Sequence, residues 1–353
     1  TPCPGSARPA GPCRGRGYVV GASRLDAGPH PHPPAEEART AMPDAARIDV
    51  HQHLIPPHLA RAMSERAAAL GWPAPAWDVA GALAMMDRRS IATGLLSFPA
   101  PVAAPDDPDG ARTGARKVNE YTAEVVKDRP DRFGHFAVLP LPDVDAALAE
   151  AVFALDELDA DGLMVLSNAH GRYLGDPLFE PLWTELDARG AVVLVHPTAP
   201  PVAPVPGLPG PLVDFPYDTA RTALHLAVNG VPRRHPRLKL ILPHAGGFLP
   251  YAAHRFAVAA RVHPESTPEE LLSDLRSFYF DTAISAGPAA LPSLLAFAEP
   301  GHVLYGSDFP MLPEQWATGF DSGLDDYPHW RPGELHAVNR GNAERLVPRL
   351  ARP

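Results

Sequence analysis

The chain has 353 residues, 45% hydrophobic and 20% charged, with 31 Lys and Arg against 41 Asp and Glu for a formal charge of −10 at pH 7. That length suits one large domain, the acidic balance lacks the electrostatic footprint of a nucleic-acid binder, and no apolar run approaches the roughly 20 residues that span a bilayer. Cys3 and Cys13 both lie at the N-terminus, so the rest of the chain must fold and work without disulfides or thiolate chemistry.

Residues 1–45 are rich in Pro, Gly, Ala and Arg, show no apolar periodicity and contain no hydrophobic region of the secretory kind. We expect a disordered N-terminal extension there, with translation starting at Met42, and one folded domain over 46–350. From residue 46 short apolar runs alternate with amphipathic stretches, the pattern of repeated βα units. The expected strands are 47–51, 92–98, 133–139, 162–167, 191–196, 238–244, 278–283 and 302–307. Helices are expected at 78–90, 111–128, 144–159, 178–189, 218–229, 248–262, 288–298 and 333–346. Eight strands each followed by a helix predict a closed (β/α)8 TIM barrel rather than an open sheet. No glycine-rich dinucleotide motif follows the first strand.

Chemistry-bearing residues sit at the strand ends. His51 and His53 end the first strand, His196 the fifth, His244 the sixth, and Asp308 follows the eighth. In this fold the C-terminal strand ends converge on one site. Residues two apart on a strand share a face, so His51 and His53 can reach one ion together. Three imidazoles and a carboxylate suit a single divalent cation, zinc ahead of manganese. His51, His53, His196 and Asp308 are therefore the expected ligands. His244 is left as the acid/base, because no lysine ends strand four and only one carboxylate is placed to bridge. Asp308 is also a candidate to pass a proton. Phe98, Phe215 and Trp316 are candidate ring-walling residues.

Four segments, DVHQHLIPP, LVHPTAPP, LPHAGGFLPYAAHR and LYGSDFP, resemble in order and spacing the amidohydrolase superfamily, and within it the nonoxidative decarboxylases of aminocarboxymuconate semialdehyde, γ-resorcylate and 6-methylsalicylate. The likeness covers roughly residues 46–347. It implies the same ligand set with His244 as catalytic acid/base. It also implies that Arg255, eleven residues after that histidine, binds a substrate carboxylate in the neighbouring subunit of a homodimer. AGALAMMD at 80–87 lacks the arginines found there in the first relative, which argues against a substrate with two carboxylates. VHPTAPP, DFPYDTARTALHLAVNG and FDTA look closer to the 6-methylsalicylate type, a resemblance that implies a hydroxybenzoate-type acid as substrate.

The resulting expectation is a cytoplasmic, metal-dependent decarboxylase of a small hydroxybenzoate-type acid. The alternative is a hydrolase of an amide, ester or lactone using the same site, and a noncatalytic barrel ranks below both.

Overall fold

A computed structural model describes residues 47–263 and 265–351. The expected N-terminal extension and the alternative start at Met42 lie outside them. Eight parallel strands follow one another around a barrel: β1 Arg47–His53, β2 Ile91–Ser97, β3 Phe133–Val138, β4 Gly162–Leu166, β5 Val192–His196, β6 Lys239–Leu242, β7 Tyr279–Asp281 and β8 Val303–Leu304. Closure runs between β8 and β1. The amide of Val50 donates to Tyr305 O at 3.0 Å, Asp308 N to His51 O at 2.8 Å, and His53 N to Phe309 O at 2.7 Å.

Alternation along the strands sorts the core into two layers. Leu95, Phe136, Met164, Leu194, Ile241 and Leu304 share one buried cluster. Their neighbours Leu96, Ala137, Val165, Val193, Leu242 and Tyr305 join another, together with helix residues such as Trp183 and Leu226. Helices begin where a short polar side chain can accept from the free amides of a first turn. Asp78 accepts from Gly81 N at 2.7 Å, Asp107 from Gly110 N at 2.8 Å, and Thr267 and Glu270 form a reciprocal capping box.

Each expected strand is present within a few residues, although β7 and β8 are only three and two residues long. Three helices of nine or more residues were not anticipated: Ala60–Ala69, Pro268–Arg276 and Glu314–Asp325. They supplement the one-helix-per-strand repeat, so its period does not reveal them. The expected helix at 218–229 begins earlier, at Gly210, and carries Pro216 inside it. Beyond β4, Asn168–Ala169 and Arg172–Tyr173 make a small antiparallel hairpin.

On β3, His135 is buried, and neither ring nitrogen has a hydrogen-bond partner. Burial pushes its pKa down from 6.5 to about 4, with Asp161 opposing and Arg349 reinforcing. The unfolded chain thus takes up a proton below pH 6.5 that the folded chain refuses. Stability is fully present above that pH and is lost as pH falls towards 4, by about 3 kcal/mol in all. Urea unfolding of wild type and His135→Phe between pH 7 and 4.5 should show a shallower pH dependence in the variant. Equal slopes would refute this assignment.

Candidate metal centre

The barrel mouth gathers residues that are far apart in sequence. His51 and His53 come from the end of β1, His196 is the last residue of β5, and Asp308 follows β8. One potential ligand atom from each lies within 4.8 Å of all the others, and all four side chains are buried. His51 Nε2 stands 3.0 Å from His53 Nε2 and 3.3 Å from Asp308 Oδ1, which is itself 3.1 Å from His53 Nε2. His244 lies just past β6 and faces the cluster, with its Nε2 3.2 Å from Asp308 Oδ2. Both His244 and Asp308 have φ near +56°, a left-handed conformation that costs a non-glycine residue about 1–3 kcal/mol and recurs at functional sites.

The surroundings fix which atoms point inward. His51 Nδ1 is 2.8 Å from Asp281 Oδ2, and His53 Nδ1 is 2.9 Å from Ser97 Oγ. With the outer nitrogens so engaged, both Nε2 lone pairs aim at one point beside a carboxylate oxygen. Lone pairs converging in this way repel unless a cation takes them, so the donor set fits a divalent metal ion.

The electrostatics of His53 and His196 agree with this fit, while those of His51 favour a proton that a bound cation would displace. Burial favours neutral imidazole and holds His196 and His53 below the ordinary histidine pKa, leaving their lone pairs available. At His51 burial also pulls down, but the carboxylates of Asp281 and Asp308 prevail and push the pKa up to about 10. Burial alone would raise Asp308, yet His51, His244 and His53 hold it well below the usual carboxylate range.

Asp281, at the end of β7, was not singled out from sequence as a site residue. Its Oδ1 accepts from the amides of His244 at 3.0 Å and Ala283 at 3.0 Å, while Oδ2 orients His51. One carboxylate thus orients His51 and holds the loop that carries His244. The signal was FDTA at a strand end, but nothing in sequence says which side chain it meets. Gly306 is equally confined: a Cβ there would come within 2.9 Å of His51 Cβ and 3.0 Å of Asp281 Cγ.

Beside the cluster opens a cavity of about 470 Å3. His196, His244, Asp308 and Arg66 are among its polar lining, and Leu70, Trp72, Phe215 and Met311 are among its apolar lining. Of the three candidate aromatics, only Phe215 lines it. Phe98 is in the core, because its neighbour Ser97 faces His53 and alternation turns Phe98 the other way. Trp316 is exposed on a helix whose buried face is Ala317, Asp321 and Leu324. Arg255 is exposed on helix Leu249–Phe256 and does not line this cavity.

The loops after β4 and β5 are tied by buried Asp218, which accepts from Ser167 Oγ, from Asn168 Nδ2 at 2.8 Å and from Tyr173 OH at 2.5 Å. Ser167 Oγ in turn accepts from Thr198 N at 3.0 Å. Sequence reasoning assigned no role to this network.

A closed parallel barrel whose mouth brings three imidazoles and one carboxylate to a point is the architecture of a metal-dependent barrel enzyme. The chain belongs to the amidohydrolase family, which it matches over residues 48–349. A 6-methylsalicylic acid decarboxylase of Penicillium expansum is 39% identical over 319 residues, spanning 86% of this chain and 97% of that one. Among solved structures, an amidohydrolase with 30% identity aligns with a TM-score of 0.80 over 86% of this chain and 99% of its own. The 2,6-dihydroxybenzoate decarboxylase from Rhizobium, 26% identical, gives 0.73 over 86% and 98%. These relatives set the chain among the decarboxylases of its family.

Replacing Asp281 by Asn keeps the shape but removes the charge that orients His51. Titration with zinc should show affinity lowered roughly 10–100-fold, the usual cost of losing a group that orients a ligand. Unchanged affinity would show that Asp281 serves the loop alone.

Proposed function

We propose that the protein is a metal-dependent nonoxidative decarboxylase of a single-ring hydroxybenzoate-type acid, 6-methylsalicylate-like in size, with zinc ahead of manganese as its ion. The observation that carries this reading is the cavity itself, apolar on most sides and large enough for one substituted ring, with His196, His244 and Asp308 gathered on one wall. His51, His53, His196 and Asp308 would hold the ion, which when bound supplies a Lewis acid and an anchor for substrate oxygens.

The division of protonic labour follows from charge. Its histidine neighbours hold Asp308 well below the usual carboxylate range, which favours it as a proton acceptor over a donor. His244, 3.2 Å away, is the donor that this carboxylate positions. Its proton bonds to the ring carbon bearing the carboxyl group, using ring π electrons. The electrons of the C–C bond then restore the ring as carbon dioxide leaves. Fixed strand ends hold acid and carbon in register, and the apolar walls exclude competing water.

Metal-replete enzyme incubated with a panel of hydroxybenzoates should yield products lighter by 44 mass units, about one carbon dioxide, with His244→Ala slower by roughly 100–10,000-fold at unchanged metal content. Silence across that panel with turnover of lactones would replace decarboxylation by hydrolysis. Loss of metal from the variant would make His244 a ligand.

Arg255 belongs to this reading as a carboxylate-binding residue that acts in the partner's site of a homodimer. Support comes from its surroundings: Tyr251, Val258 and Val262 in the same stretch are 91%, 61% and 75% exposed, a patch suited to burial against a second copy. Mixing inactive Arg255→Ala with inactive His244→Ala should restore about a quarter of wild-type activity, since half the dimers then hold one complete site. No recovery on mixing would confine Arg255 to its own protomer or to the surface.

A further inference from the structure

Arg66 sits on helix Ala60–Ala69, partly buried, and lines the cavity that also holds His196, His244 and Asp308. It borders a second cavity of about 520 Å3 as well, so the residue stands between two open volumes. Its hydrogen bond is to Thr198 Oγ1, from Nη2 at 2.7 Å. Thr198 is rigid, its amide held by Ser167 and through it by Asp218. Burial depresses the Arg66 pKa with no carboxylate opposing it, among the described residues. A guanidinium carries five donors. Desolvating a cation without a counter-group is costly, so the remaining donors are poised for an acceptor that enters the cavity.

We propose that Arg66 binds a ring oxygen of the substrate, one that is retained in the product, which makes the preferred ligand a phenolic acid and not a plain benzoate. The inference rests on the decarboxylase reading for its choice of oxygen. In that reading the departing carboxylate already has its cationic partners in the ion and in Arg255 of the partner subunit, so the donors of Arg66 are left for another oxygen. A hydroxyl or phenolate oxygen stays on the ring throughout, and contact with it orients the ring against His244 without opposing the reaction. Arg66 is thus a specificity-determining residue, reached from the side of Thr198.

The test uses metal-loaded full-length enzyme and two probes, resorcinol and benzoate, with binding followed by calorimetry and by the fluorescence of Trp72, which lines the same cavity. Arg66→Met keeps most of the apolar stem and removes the donors. Resorcinol should bind roughly 10–100-fold more weakly to Arg66→Met, the scale of a lost hydrogen bond to a charged group, and Arg66→Lys should recover part of that loss. Benzoate affinity should stay unchanged, which also certifies that the variant is folded. Weakened benzoate with unchanged resorcinol would overturn the proposal in favour of a grip on the departing carboxylate. Loss of neither, or a wild type that binds neither probe, would overturn it outright. Should wild type bind resorcinol through Arg66 yet release no carbon dioxide from any hydroxybenzoate, the decarboxylase reading falls while the binding site stands.

Discussion

Closure of the barrel between its last strand and its first is the constraint on which the site depends. The amide of Asp308 donates to the carbonyl of His51 at 2.8 Å, so one backbone bond both seals the sheet and brings the carboxylate beside the two histidines of β1. Two residues on, His53 N donates to Phe309 O at 2.7 Å and repeats the stitch. A parallel sheet that stopped short of closing would leave His51 and Asp308 on opposite edges. Fold and metal centre are therefore one cooperative object, and the positive φ of Asp308 is the backbone cost of turning its side chain inward at that seam.

Around that seam the supporting groups are shared. Asp281 touches His51 through one oxygen and the His244 loop through the other. Asp308 meets His51 and His53 through Oδ1 and His244 through Oδ2. Each carboxylate links a histidine of β1 to His244, so displacement of either strand end disturbs both together. On the opposite side of the mouth, Asp218 fixes the loops after β4 and β5 and leaves Thr198 as a firm seat for Arg66.

Much of this was readable in the sequence because the barrel couples strand ends to function. Histidines closing the strand runs before Gln52, Pro197 and Ala245 stand out against apolar neighbours, and their order matches eight βα units. The second layer of residues was not readable. Asp281 resembles any acid at a strand end until β7 and β1 are placed in one barrel, and Arg66 lies in an Ala-rich helix that the repeat does not require. Phe98 and Trp316 misled because aromatic residues near strand ends divide between core, surface and cavity according to which way one side chain turns. Period-2 alternation settles that for Phe98 only once Ser97 is known to face His53.

Gly306 carries a consequence for how such a protein can change. The space that its missing side chain leaves is taken up by His51 and Asp281, so even a methyl group would push on the pair that aims the first ligand. The cavity walls, built from separate loops and helices, can vary one side chain at a time and so alter what is accepted. Adaptation to new substrates thus has freedom at the rim and almost none beneath the ion. A mutational library that leaves position 306 untouched would forgo little and retain most of its working members.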